Sequence, residues 1–153
     1  MENASKALIM AGGVLIGVLI ISLAVYLFID FGSTSAEINA RNAQLQLSEF
    51  NSKFTTYENY KDDNGNWKIT IYDIITLAGY AKENNEYYEA SDATKENYID
   101  VKIGNNSVLK ETETSLINKY VNQNNGALTK FSCGGIQYYD SGRIKSISFI
   151  PLK

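Results

Sequence analysis

The sequence predicts an α+β fold in which a transmembrane N-terminal helix continues into an amphipathic helix packed on a small antiparallel sheet, with two further short helices. Three observations lead to this prediction. The first apolar stretch carries no charge, apolar side chains recur at helical spacing after it, and the last 27 residues alternate about a turn. We divide the chain into a flank, a transmembrane helix, a stalk, and an α+β domain that packs with residues 45–60: residues 1–6, 7–29, 30–60 and 61–153.

The apolar segment is long enough to cross a membrane. Residues 7–29 contain no charge and would form a helix of about 35 Å, against about 30 Å for the bilayer core. A cleaved secretory signal is the alternative, but its apolar core has about 7–15 residues and follows a basic region. Here the segment is longer and Lys6 is the one basic side chain before it, so we expect a retained anchor.

The flanking charges predict an orientation. Lys6 precedes the segment, whereas Asp30 and Glu37 follow it, and positive charge favours the cytoplasmic side. The abundance of Asn, Lys, Tyr and Ile is typical of proteins from AT-rich genomes. We therefore expect a bacterial cell membrane, with the N-terminus inside and the C-terminal domain extracytoplasmic.

Two glycines within the segment suggest contact with another helix. Gly13 and Gly17 form a GxxxG pair, preceded at the same spacing by Ala7 and Ala11. Small residues four apart allow helices to approach closely in lipid, although small residues are also frequent in membrane helices generally. We expect the partners to be the lipid bilayer, a second copy of the chain, and possibly other envelope proteins.

A second helical pattern follows the membrane segment. Thr34 and Glu37 have the spacing of a capping box, and the helix would be continuous with the anchor unless Gly32 breaks it. Four apolar side chains at spacings of three and four form a face that we expect to pack in the core: Leu47, Phe50, Phe54 and Tyr57.

The remaining chain predicts two helices and three strands. Thr70 and Asp73 form a second capping box, opening a helix that the Asn84–Asn85 pair would end. A strand with a Gly104–Asn105 turn and a helix ending at Gly126 come next. The hairpin consists of residues 127–140 and 143–153, with a bulge expected at Gly134–Gly135.

The composition argues against several classes of activity. The net charge of -3 does not fit nucleic-acid binding, and the chain has no histidine, the commonest general base and metal ligand. Carboxylates such as Glu86, Glu89 and Asp92 lie in polar stretches, and the turn beginning at Asp62 lacks the glycine position of a calcium loop. We predict no catalytic residue, no metal and no cofactor.

Cysteine and tyrosine leave alternatives open. Cys133 reads as a small buried side chain, with an intermolecular disulfide or a nucleophile as alternatives. The adjacent tyrosines at 87–88 and 138–139 fit half-buried packing residues or a surface that binds sugars or peptides.

The segments "ASKALIMAGGVLIGVLIISLAVYLF" and "EFNSKFTTYE" resemble the type IV pilin architecture and short, uncharacterised single-pass membrane proteins of Firmicutes. The resemblance covers the first 60 residues best and implies apolar helices that bundle into a filament core after a leader is removed. Bacterial pilins carry Glu five residues after the cut, whereas a cut after Ala7 would place Gly12 there.

These patterns lead to two hypotheses of function. The first is a non-enzymatic membrane protein that is a structural or assembly subunit of a pilus, filament or envelope complex. The alternative is a monomeric surface binding or adaptor domain that uses the helix as a tether.

Overall fold

The structure is a computed structural model that describes residues 2–122 and 125–152. The chain divides into two compact units between Leu45 and Gln46. A 3-10 turn, Thr56–Asn59, follows the first helix. The helices and strands, in chain order, are α1 Glu2–Thr55, α2 Ile71–Tyr87, β1 Asp100–Ile103, β2 Asn106–Ser107, α3 Glu113–Tyr120, β3 Phe131–Tyr138 and β4 Ile144–Pro151.

The first unit is helical throughout its described residues. α1 passes through Gly32 without a break, which is affordable because one glycine in a helix costs only about 1 kcal/mol relative to alanine. The predicted helix start at Thr34–Glu37 was therefore wrong: the backbone there lies in the interior of α1. A capping pattern marks a helix end only where the preceding residues leave the helix, and here they do not.

The second unit, Gln46–Lys153, contains a four-stranded sheet in the order β2-β1-β4-β3. β3 and β4 form the expected antiparallel hairpin, and a register shift lies between Cys133 and Gly135, which confirms the bulge. β1 and β4, however, are parallel. The prediction of an antiparallel sheet was wrong because the chain passes through α3 before the hairpin and brings β4 back beside β1 in the same direction.

One core fills the second unit. α2 packs against β1 and α3, and burying a large apolar side chain fully contributes about 1.5–3 kcal/mol. The completely buried large side chains come from α1, α2, the strands and the segments beside them: Phe54, Ile69, Ile71, Ile74, Leu77, Ile99, Val101, Phe131, Ile144, Ile147 and Phe149.

The start of α2 was predicted correctly, but its end was not. The Asp73 carboxylate accepts the Thr70 backbone N–H at 2.8 Å, as a capping box requires. Asn84 and Asn85 do not stop the helix, which continues to Tyr87. The Asn85 side chain instead donates to the Ile99 carbonyl and accepts the Ile99 N–H, both at 2.8 Å, as a neighbouring strand would.

Two shorter predictions also need correction. α3 ends at Tyr120 rather than near Gly126, because Val121 forms a bridge with Leu128 and the chain turns between them. Residues 123 and 124 of the predicted helix lie outside the described residues. The turn at Gly104–Asn105 is followed by the two-residue strand β2, which the sequence analysis did not identify.

Candidate functional site

The apolar part of α1 is long and apolar enough to cross a membrane, and none of its apolar window is buried. Side chains along it are well exposed, for example Leu8 at 77% and Phe28 at 82%. A signal sequence near an N-terminus has the same length and composition. By these two properties the helix fits a single-pass membrane anchor.

Gly13 and Gly17 lie in this exposed segment. A Cβ added at either position would meet nothing within 4 Å, so neither glycine is needed to pack the single chain. Their spacing places them on one face of α1, about 40° apart around the axis at 100° per residue. This face is open to a second helix.

The four predicted core residues all lie in the second unit but differ in burial. Phe54 is completely buried and its ring lies 5.5 Å from the ring of Phe50, which is half-buried like Leu47. Tyr57 is also half-buried and lies in the 3-10 turn after α1. Burial, and next the Asp73 carboxylate, raise the pKa of the Tyr57 hydroxyl.

An arginine that the sequence analysis did not select organises the surface beside Phe50. The Arg143 guanidinium lies 4.4 Å from the Phe50 ring centre and 4.8 Å from that of Tyr88. It donates through Nη2 to the Asn84 side-chain oxygen, while its Nε is buried without a hydrogen-bond partner. The sequence offers no local signal for this arrangement, because the two aromatic residues lie on different helices.

The loop before β4 is held in place from α1. Asn51 donates through its side-chain nitrogen to the Gly142 carbonyl at 2.8 Å and accepts the Ile144 N–H at 3.2 Å. These two bonds fix the backbone on both sides of Arg143. The guanidinium therefore enters the aromatic pair from a supported loop.

A shallow cleft of about 290 Å³ opens next to Arg143. Lys53 lies at its edge, 4.7 Å from the Tyr80 ring centre. Two cations, one carboxylate and four aromatic rings thus surround one small space. Its lining residues are Phe50, Lys53, Tyr80, Glu83, Asn84, Tyr87, Tyr88 and Arg143.

The residues considered for chemistry do not come together. Cys133 is half-buried, and burial raises the pKa of its thiol. Asp62 accepts hydrogen bonds from its own turn, at Asn64 and Asn66. Within residues 2–122 and 125–152, no group of three or more Cys, Asp or Glu side chains could hold a metal ion.

The tyrosine pairs differ in their surroundings. Tyr87 and Tyr88 pack edge to face with ring centres 4.9 Å apart, and Tyr87 remains 80% exposed. The Tyr139 hydroxyl donates to the Tyr98 carbonyl at 2.7 Å, whereas Tyr138 is exposed. The first pair therefore lies at the cleft, and Tyr139 supports a loop.

No protein-family model, curated protein or solved structure matches the chain in comparisons with known proteins. The site is therefore interpreted from its own residues.

Proposed function

We propose that this protein is a non-enzymatic, single-pass membrane protein that acts as a structural or assembly subunit with a pilin-like layout. The N-terminus lies in the cytoplasm, residues 7–29 cross the membrane, and the C-terminal domain is extracytoplasmic. Copies associate through their membrane helices and contact one another through their C-terminal domains.

The exposed apolar helix carries this proposal. Fourteen of residues 7–29 are Leu, Ile, Val or Phe, and each favours membrane insertion by about 0.3–0.6 kcal/mol near the bilayer centre. None of this surface is buried by the rest of the chain. A contiguous apolar surface of this size is stable in lipid or against other helices, and not in water.

Association of the helices is tested by removing the close-approach face. In native membranes, the double variant Gly13→Leu with Gly17→Leu should lose most chemically cross-linked oligomers, because two leucines hold the helices apart. Gly12→Leu is the matched control, since Gly12 lies about 100° away from Gly13 around the helix and is equally open. Oligomers that persist in the double variant would place the contact elsewhere.

Orientation and processing need separate measurements. In a Cys133→Ser background, a membrane-impermeant maleimide should label Ser91→Cys in intact cells and leave Ser5→Cys unlabelled until the cells are opened. The reverse pattern would overturn the orientation. Mass spectrometry of the native N-terminus distinguishes an intact Met1, which favours a tether, from a start at Leu8, which favours pilin-type processing.

The cleft beside Arg143 favours a second candidate function, a tethered monomeric binding domain. Its cations and aromatic rings suit a ligand that bears carboxylates. Polyglutamate should then raise the melting temperature of residues 33–153, and Lys53→Gln should reduce the shift. No shift at moderate salt would dismiss this candidate, as would an equal shift in the variant.

A further inference from the structure

The outward face of α2 has a composition that the fold of one chain does not explain. Five side chains follow at spacings of four, three, four and four and occupy an arc of about 80° around the helix. All five are exposed, with Tyr72 at 50% and Tyr87 at 80%. We name this face the α2 stripe: Tyr72, Thr76, Gly79, Glu83 and Tyr87.

Gly79 is the residue that most needs a reason. It lies in the middle of a 17-residue helix, where glycine is less favourable than alanine because it loses more backbone freedom on folding. A Cβ at this position would meet nothing within 4 Å. The single chain thus gains nothing from the missing side chain, whereas a helix that approaches from outside would.

The α2 stripe is symmetric about its centre. Tyr72 lies seven residues before Gly79 and Tyr87 lies seven residues after Tyr80, while Thr76 and Glu83 lie three residues before and after the same pair. A second α2 running in the opposite direction would therefore place Tyr72 against the partner's Tyr87. The two Gly79 residues would meet at the crossing point.

We propose that the α2 stripe binds the α2 stripe of a second copy in an antiparallel, two-fold symmetric contact centred on Gly79. In such a contact the same surface of both copies is used, as in most dimers of identical chains. Tyrosine is also among the residues that dominate binding at protein interfaces.

Charge selects the antiparallel arrangement. Glu83 is the one ionised side chain of the α2 stripe, and a parallel pairing would set the two Glu83 carboxylates opposite each other. The antiparallel pairing sets Glu83 opposite the partner's Thr76. The Thr76 hydroxyl donates to the Tyr72 carbonyl at 2.9 Å in the single chain and can turn to the facing carboxylate.

The expected contact area makes this pairing weak without an anchor. One helix pair of about four turns buries less than the roughly 1,200 Å² typical of stable complexes. In this respect the inference rests on the proposed function, because a shared membrane raises the effective concentration of the domains. The contact then adds to the association of the membrane helices.

Disulfide cross-linking of the full chain in native membranes tests the contact. In a Cys133→Ser background, Gly79→Cys should form a symmetric disulfide dimer at least tenfold faster under mild oxidation than Lys82→Cys, an exposed position on another side of α2. Equal rates at the two positions, or no dimer at position 79, would overturn the proposal.

A second measurement separates this contact from the membrane helices and from a folding defect. Gly79→Ala should raise the melting temperature of the protein while lowering the yield of a Tyr72→Cys to Tyr87→Cys cross-link between differently tagged copies. An unchanged yield would contradict the proposal. If Gly13→Leu with Gly17→Leu leaves both cross-links unchanged, the proposed membrane-helix association fails and the α2 contact stands.

Discussion

Asp62 shows how one side chain fixes a turn in this protein. Its Oδ1 accepts the backbone N–H groups of Asn64 at 2.9 Å and Asn66 at 2.8 Å, and its Oδ2 accepts the Asn66 side chain at 3.2 Å. These bonds occupy the carboxylate that a calcium loop would direct at an ion. Gly65 has a φ of 81° in this turn, which glycine adopts without strain.

The charge of Asp62 makes the stability of this turn depend on pH. Hydrogen bonds from the Asn66 backbone and side chain lower the pKa of the carboxyl group. A lowered pKa in the folded state stabilises the protein above the unfolded value of about 3.9, and this contribution is lost as the pH falls through the folded value. Asp62→Asn should lower the melting temperature at pH 7 and have no effect below about pH 3.

Asp63→Asn is the matched control for this change, because it alters the net charge equally at the neighbouring position. It should leave the melting temperature at pH 7 nearly unchanged. Thermal unfolding of the detergent-solubilised protein between pH 2.5 and 7 measures both variants. A difference for Asp62→Asn that is constant with pH would show that the turn depends on geometry alone.

Cys133 should react slowly in the folded protein. Burial raises the pKa of its thiol, and the thiolate is the reactive form. At pH 7.5 its alkylation by iodoacetamide should be at least tenfold slower than that of Ser91→Cys in a Cys133→Ser background, as Ser91 is exposed. In denaturant the two rates should converge, and a fast reaction in the native protein would contradict the burial.

Among the helices and strands, local signals were read correctly and distant pairings were not. The start of α2 was predictable because Thr70 and Asp73 cap it from three residues apart. Its end was not, since Asn85 bonds to Ile99, a partner outside the helix. The parallel pairing of β1 with β4 likewise depends on the path of the intervening chain, which no local pattern encodes.

Two glycines of different elements should respond oppositely to alanine. At Gly134 in β3, an added Cβ would lie 2.9 Å from Ser148 Oγ and 3.2 Å from Ile150 Cγ1. We expect Gly134→Ala to destabilise the protein by about 1–3 kcal/mol. Gly79→Ala has open space and should stabilise it by about 0.5–1 kcal/mol.

Denaturant unfolding of both variants measures this difference. Ser148→Ala should recover part of the loss in Gly134→Ala, because it removes the nearest of the contacting atoms. If Gly134→Ala is as stable as the unchanged protein, β3 and β4 lie further apart at this point than the structure has them.

For the whole molecule, the sequence predicted the anchor and the second unit's helical face better than the cleft. The anchor is a property of composition, and Phe54 follows from helical spacing. The cleft joins Phe50 of α1, Tyr88 beyond α2 and Arg143 before β4. Residues so far apart in sequence meet only through the complete fold, and a lone arginine between two strands carries no signal of that meeting.

The division of the chain into two units predicts where it can be cut. The core of the second unit contains Phe54, so a fragment of residues 46–153 keeps every fully buried side chain and should unfold cooperatively as a soluble protein. A fragment of residues 60–153 loses Phe54, Phe50 and Tyr57 and should not fold. Phe54→Ala in the longer fragment should cost about 3–5 kcal/mol, measured by urea unfolding. If the shorter fragment folds equally well, the end of α1 is not part of the core, and the helix is only a tether.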